Sequence, residues 1–312
     1  NITYDVSWNI ILFLIIAVLL IGSFSVGAAG GYFASLVKGT KAPPLTEMKQ
    51  QVNSYAVTSQ IYWGSGEKLT NVSTDEERQP VDIKNISPYL LDAVLSTEDT
   101  DFYQHDGVVP KATLRAVLQE LTNSASRTGG STLTQQLIKN QILTNEVSFE
   151  RKAKEILLAL RLENAMSKDE ILQAYLNVVS FGRNSLGRNI AGIEAASQGV
   201  FNKSAKKLTL PQAAFLAGIP KNPYYYTPYL QGGVVKKDLT PSVNRMKTVL
   251  KRMYVAKNIT KEQYEKAIKH DITKDFAKQS KRSRDTYPYV YDLAEREATK
   301  IMTKYLMKQD GV

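Results

Sequence analysis

Residues Ser87–Gly107 read SPYLLDAVLSTEDTDFYQHDG, and the register of this stretch decides how the chain is understood. Ser87 and Pro88 form a helix start, a capping residue followed by a proline in the first turn. From there Leu91, Val94, Leu95, Glu98 and Phe102 fall on the stripe that a helix turns toward a core. Glu98 thus stands where a leucine is expected, and desolvation on an apolar face is a common way to prepare a carboxylate for acid/base work. The competing reading ends the helix near Thr97 and leaves Glu98 and Asp99 in a solvated turn. Asp101 and Asp106 read as ordinary turn residues in either case.

Composition narrows the chemistry around this stretch. The chain has 312 residues, a formal charge of +10, no Cys and two His. That length accommodates one large or two ordinary domains, and the basic balance favours anionic partners such as phosphates or an acidic lipid surface. Without Cys there is neither a disulfide framework nor thiolate-bound zinc, so any metal site would be of the carboxylate type that holds Mg²⁺ or Mn²⁺. Upstream, Val6 to Val37 carries no charge, and NIILFLIIAVLLIGSFSV supplies the roughly 20 apolar residues of a membrane-crossing helix. The run exceeds an ordinary signal-peptide core and no basic segment precedes it. Lys38, Lys41 and Lys49 follow the span and Asp5 precedes it, so counting positive charges alone would place the bulk of the chain in the cytoplasm. The sequence starts at Asn1 rather than Met, and a basic flank ahead of it would reverse that count.

The expected organisation is a transmembrane helix at 1–37 and a linker with a small extended lead-in at 38–86. A helical domain follows at 87–247, then a basic linker and the beginning of a connector at 248–312. Ser167 with Glu170 and Thr209 with Gln212 read as capping boxes that start further helices. Gly218 and Pro220 close the second of these.

Two downstream segments carry candidate chemistry. In RTGGSTLTQQLIKNQIL, Arg127–Leu143, Thr132, Gln136 and Lys139 share one helix face and Ser131, Gln135 and Lys139 an overlapping one. This is a strip suited to sugars or phosphates, or else a plain solvated face. It lacks the Walker A spacing. In SFERKAKEILLALRLENAM, Ser148–Met166, Arg151, Lys152 and Glu155 are neighbours on one face. That spacing is commonly a surface ion cluster; yet Leu158, Ala159 and Leu162 border Glu155, which suits a second functional carboxylate flanked by cations.

Taken in order, EDTDFYQHDG, GGSTLTQQLIKN, RKAKEILLALRLE, KDEILQAYLNVVSFG and LTLPQAAFLAGIPKNPYYYTP resemble the blocks of the peptidoglycan glycosyltransferase domain of class A penicillin-binding proteins, the family 51 glycosyltransferases. The five blocks run in family order over about Ser87 to Tyr229. The resemblance implies a mainly α, lysozyme-like, two-lobed domain with a head and a membrane-proximal jaw, held outside the cytoplasm by the single preceding span. It implies polymerisation of lipid II onto a lipid-linked growing glycan strand, with inversion, formation of a β-1,4 link and release of undecaprenyl pyrophosphate. Glu98 would be the general base, and Glu155 a second catalytic carboxylate assisting at the donor side. Lys139, Arg151 and Lys152 would hold pyrophosphates. Ser131, Thr132, Gln135 and Gln136 would line the sugar cleft, with Asp99, Phe102 and His105 shaping the first block.

No cofactor is required on this reading, although Glu98 and Asp99 are candidate ligands for Mg²⁺ or Mn²⁺. Membrane lipid, lipid II and other cell-wall synthesis proteins are the expected partners, nucleic acid is not, and moenomycin-type inhibitors would act here. Leu114, Val117, Leu118 and Leu121 would form core or a lipid-dipping jaw surface. The final YPYVYDLAERE resembles the connector to a transpeptidase domain, which the sequence itself does not contain. VFNK departs from the aromatic-Phe-Gly-Lys run usual in the family, and the segment after SFG is longer. The rival readings are a lysozyme-like glycan-cleaving enzyme or lytic transglycosylase, and a non-catalytic membrane scaffold.

Overall fold

The computed structural model describes residues 2–40, 42–72, 74–113, 115, 130–143, 146, 148–278 and 286–309. The expected stripe of Leu114, Val117, Leu118 and Leu121 lies outside these residues.

The chain is mainly helical. Helix α1, Ile2–Val37, has the length and apolar composition to cross a bilayer over Val6–Val37. Helix α2, Leu45–Val52, lies within the expected linker, and its Met48 and Val52 are fully buried. Four residues apart, they form the short apolar face that docks it. Lys49 pairs with Glu170 at 2.7 Å and Arg161 donates to the Pro43 carbonyl at 3.2 Å, so the segment after α1 is fastened to the body.

Strands β1, Gln60–Tyr62, and β2, Lys68–Asn71, pair antiparallel as a hairpin within the expected extended lead-in. Strand β3, Glu76–Arg78, runs parallel to β5, Asn189–Ala191, which pairs antiparallel with β4, Ser180–Arg183. This small sheet crosses the boundary expected at residue 86, because Glu77 is buried and accepts hydrogen bonds from Arg188 (2.8 Å) and Asn184 (3.0 Å).

The helices that frame the site are α3, Pro88–Glu98; α4, Leu133–Gln141; α5, Phe149–Glu163; and α6, Lys168–Val178. They continue with α7, Ile193–Phe201; α8, Leu210–Gly218; α9, Pro223–Tyr226; α10, Thr240–Val255; and α11, Lys261–Lys269. Helix α12, Pro288–Gln309, follows. Thr132, Ser167 and Thr209 start α4, α6 and α8 with capping boxes, which satisfy two otherwise orphaned backbone donors each. Ser148 caps α5 through the Arg151 N–H. Ser87 precedes α3 as expected, but its hydroxyl donates to the Leu208 carbonyl instead of capping the helix.

The core joins α3, α8 and α10 on one side and α4, α5 and α6 on the other. The boundary expected at residue 247 falls inside α10, whose Val249, Leu250 and Met253 are fully buried. Ile259, Ala267, Ile272 and Phe276 join the same core, so the packed body extends well past that point.

Candidate active site

Helix α3 buries Leu90, Ala93, Val94 and Thr97, a stripe displaced by about one residue from the expected one. Leu91 and Leu95 are half-buried, and Glu98, the last residue of the helix, sits at the edge of the buried face with its side chain 18 % exposed. It is neither a central core position nor part of a solvated turn. Its Oε1 faces Nη2 of Arg245 at 3.3 Å, and its Oε2 accepts from Nε2 of Gln136 at 3.4 Å. These are long contacts, so the carboxylate is steered without being saturated.

Arg245 comes from α10, where it is buried and also donates through Nε to the Gly218 carbonyl at 3.2 Å. Burial lowers its pKa, and Glu98 opposes that by favouring the charged form. Tyr175, fully buried on α6, donates to Oε1 of Gln136 at 3.4 Å. Burial first, and then the Glu98 charge, raise the Tyr175 pKa well above its ordinary value, which keeps it a hydrogen-bond donor.

Asp99 behaves differently from its neighbour. It is buried, its Oδ2 accepts from the Leu133 N–H at 2.9 Å, and both oxygens lie 3.0 Å from Nε2 of His105. The Gly107 N–H donates to Nδ1 of His105 at 3.1 Å, so Nε2 carries the ring proton and points it at Asp99. Phe102, fully buried, meets the His105 ring edge-on and carries Lys168 over its face. Gly107 (φ +87°) is confined to glycine, since a Cβ there would lie 2.8 Å from the Ala159 carbonyl oxygen. Its own carbonyl accepts from the Thr132 hydroxyl at 2.6 Å. Asp99, Phe102, His105, Gly107 and Thr132 thus brace the start of α4, while Asp101 and Asp106 are exposed.

The polar strip on α4 divides. Thr132 and Gln135 are buried in its capping box, Gln136 is half-buried, and Lys139 is exposed one turn beyond Gln136. Consecutive glutamines face different carboxylates: Gln136 reaches Glu98, and Nε2 of Gln135 donates to Oε1 of Glu155 at 3.2 Å. Glu155 is 2 % exposed and also receives Nη1 of Arg151 at 3.0 Å and Nζ of Lys152. Lys152 also donates to the Ser131 hydroxyl at 2.8 Å. The Arg151, Lys152 and Glu155 spacing therefore produces a closed cluster against α4 rather than a surface ion pair.

Glu98 opens onto a cleft of about 620 Å³ lined with it by Thr97, Asp99, Thr100, Thr248, Lys251 and Arg252. Arg252 donates to the Thr97 carbonyl at 2.5 Å, tying α10 to the end of α3. Arg245 and Arg252 were not singled out by the sequence reading. Their signal is a pair seven residues apart on α10, set among the apolar Met246, Val249 and Met253. As for a metal, both oxygens of Asp99 are already engaged, and no group of three or more His, Asp and Glu side chains suited to a metal occurs among the described residues.

The transglycosylase family profile matches residues 65–254. Penicillin-binding protein 1A of Clostridium botulinum is 41% identical over 275 residues, covering 87% of this chain and 32% of that protein. Penicillin-binding protein 2D of Bacillus subtilis is 34% identical over 301 residues, covering 95% of this chain and 40% of that protein. The crystal structure of penicillin-binding protein 1A from Haemophilus influenzae aligns at 26% identity with a TM-score of 0.41, over 79% of this chain and 25% of that one. The chain spans about a third of the length of the curated relatives it matches.

Proposed function

Because the chain belongs to the transglycosylase family, we propose that it polymerises lipid II into peptidoglycan glycan strands at the outer face of the membrane, with α1 as anchor. The observation that carries this reading is Glu98, steered by Arg245 and Gln136 at the mouth of a cationic cleft.

In the proposed reaction Glu98 removes the proton from the 4-hydroxyl of the acceptor sugar as that oxygen attacks the anomeric carbon of the lipid-linked donor strand. The new β-1,4 bond forms with inversion and undecaprenyl pyrophosphate departs. A base must reach the hydroxyl it deprotonates, and a carboxylate with an open side and loosely held oxygens meets that requirement. The leaving group develops negative charge, which preorganised cations stabilise most effectively. Arg151 and Lys152, oriented by Glu155, together with the exposed Lys139, are assigned that task. The reading needs no metal: Mg²⁺ or Mn²⁺, if bound, would add charge stabilisation at the pyrophosphate. Thr132 and Gln135 are assigned to shaping the cleft wall from within, and Ser131 and Gln136 to facing the sugars.

The test is incubation of the membrane-embedded chain with lipid II, with and without a chelator. Long glycan strands in both arms are expected. Shortening of added glycan, or no new linkage, would overturn the assignment; strands formed only without chelator would overturn its metal-free form.

A further inference from the structure

Helix α9 has a single turn, and the surrounding chain holds it unusually firmly. The Arg183 N–H donates to the Thr227 hydroxyl at 3.2 Å, and that hydroxyl donates back to the Arg183 carbonyl at 2.9 Å. Nζ of Lys236 donates to the carbonyls of both Tyr224 and Tyr225 at 2.9 Å. Gly182 (φ +79°) lets β4 approach so closely that a Cβ would lie 2.5 Å from the Pro223 carbonyl oxygen. Yet the two residues at the centre of this clamp are exposed tyrosines, Tyr224 at 49% and Tyr225 at 53%. The Tyr224 ring carries the Arg183 guanidinium 4.8 Å from its centroid, and the Tyr225 ring meets Tyr226 edge-on at 5.0 Å. Tyr226 in turn lies within electrostatic reach of Arg245, the partner of Glu98.

We propose that Tyr224 and Tyr225 are a stacking platform for sugar rings of the glycan strand at a distance from the reacting bond, an inference that rests on the glycan-polymerising reading above. A β-linked hexosamine presents equatorial polar groups at its rim and C–H bonds on its faces, and those C–H bonds pack against the electron-rich face of an aromatic ring. Rings at successive helix positions diverge by about 100°, so they engage different sugars. The phenol hydroxyls can bond to sugar rim groups, and Arg183 and Lys236 supply charge that complements the carboxylates of a peptidoglycan strand. A rigid platform loses little entropy on binding.

Exposed tyrosines beside cations also mark membrane interfaces. The packing order favours the glycan: α1 packs on α5 and α5 on α4, whereas α9 packs on α10 and β4, a different set of elements from those that hold the anchor.

The test titrates a lipid-free, soluble GlcNAc–MurNAc oligosaccharide into the detergent-solubilised chain by calorimetry. The Tyr224→Ala/Tyr225→Ala pair should bind about tenfold more weakly than the wild type and the Tyr224→Phe/Tyr225→Phe pair within about twofold of it. Equal binding by the alanine pair, or no binding by the wild type, overturns the platform. So does an alanine pair that loses affinity for phosphatidylglycerol vesicles but not for the oligosaccharide. Single Tyr225→Ala provides the same comparison if the double variant unfolds. Failure of the active-site reading would show separately, as a wild type that binds oligosaccharide but joins no lipid II.

Discussion

The two carboxylates that flank α4 occupy opposite kinds of surroundings. Glu98 has one guanidinium and one amide at 3.3 and 3.4 Å and an open side toward the cleft. Glu155 is sealed, with an amide, a guanidinium and an ammonium filling its oxygens. A base must retain a free lone pair, whereas a group that holds cations in place must not. The contrast supports separate tasks for residues that sequence alone makes look alike.

The largest effect that could break this comparison comes from Glu155→Ala. Removing a buried anion leaves Arg151 and Lys152 uncompensated, and thermal unfolding should register a loss of about 3 kcal/mol. A loss below about 0.5 kcal/mol, the surface-pair range, would mean that the cluster is solvated after all. Next, Arg245→Met removes the cation that steers Glu98. Lipid II polymerisation should fall on the order of 10²-fold through misplacement of the base, while an unaltered rate would remove Arg245 from the account. Asp99→Asn should destabilise the chain by about 1–3 kcal/mol, because a buried oxygen facing the His105 N–H becomes an amide. Chemical denaturation measures it.

The smallest effect is electrostatic. Burial raises the Asp92 pKa, so its ionised form costs the folded state stability. That penalty is absent below the unfolded carboxylate pKa and complete above the raised folded value, so stability declines as pH rises through that window. Asp92→Asn should therefore raise the unfolding temperature slightly at neutral pH and leave it unchanged in acid. A stabilisation of equal size at both pH values would show that its origin is not ionisation.

Much of the frame was legible because it is written in local spacing. The apolar run before Lys38, the capping boxes at Ser167 and Thr209, and the five ordered blocks depend on residues a few positions apart. The remainder depends on long-range contacts. Arg245 meets Glu98 across 147 residues, and no periodicity encodes that meeting. Strand β3 pairs with β5, and Glu77 reaches Asn184 and Arg188 across 107 and 111 residues, which no local pattern encodes. The stripe on α3 was displaced because Thr97, polar by type, is buried under α10, where Arg252 takes its carbonyl. Gln135 and Gln136 looked like members of one strip. Only the packing of α3 and α5 on either side of α4 separates them.

The central claim is that Glu98 takes the acceptor proton, and Glu98→Gln tests it most directly, since the amide keeps the shape and one accepting oxygen for Arg245, gives up only the long 3.4 Å contact with Gln136, and cannot act as a base. The rate of lipid II polymerisation by the purified, membrane-embedded variant should fall by about 10²–10⁴-fold with the unfolding temperature unchanged. A rate within about threefold of the wild type, which corresponds to less than about 1 kcal/mol of lost transition-state stabilisation, would contradict it.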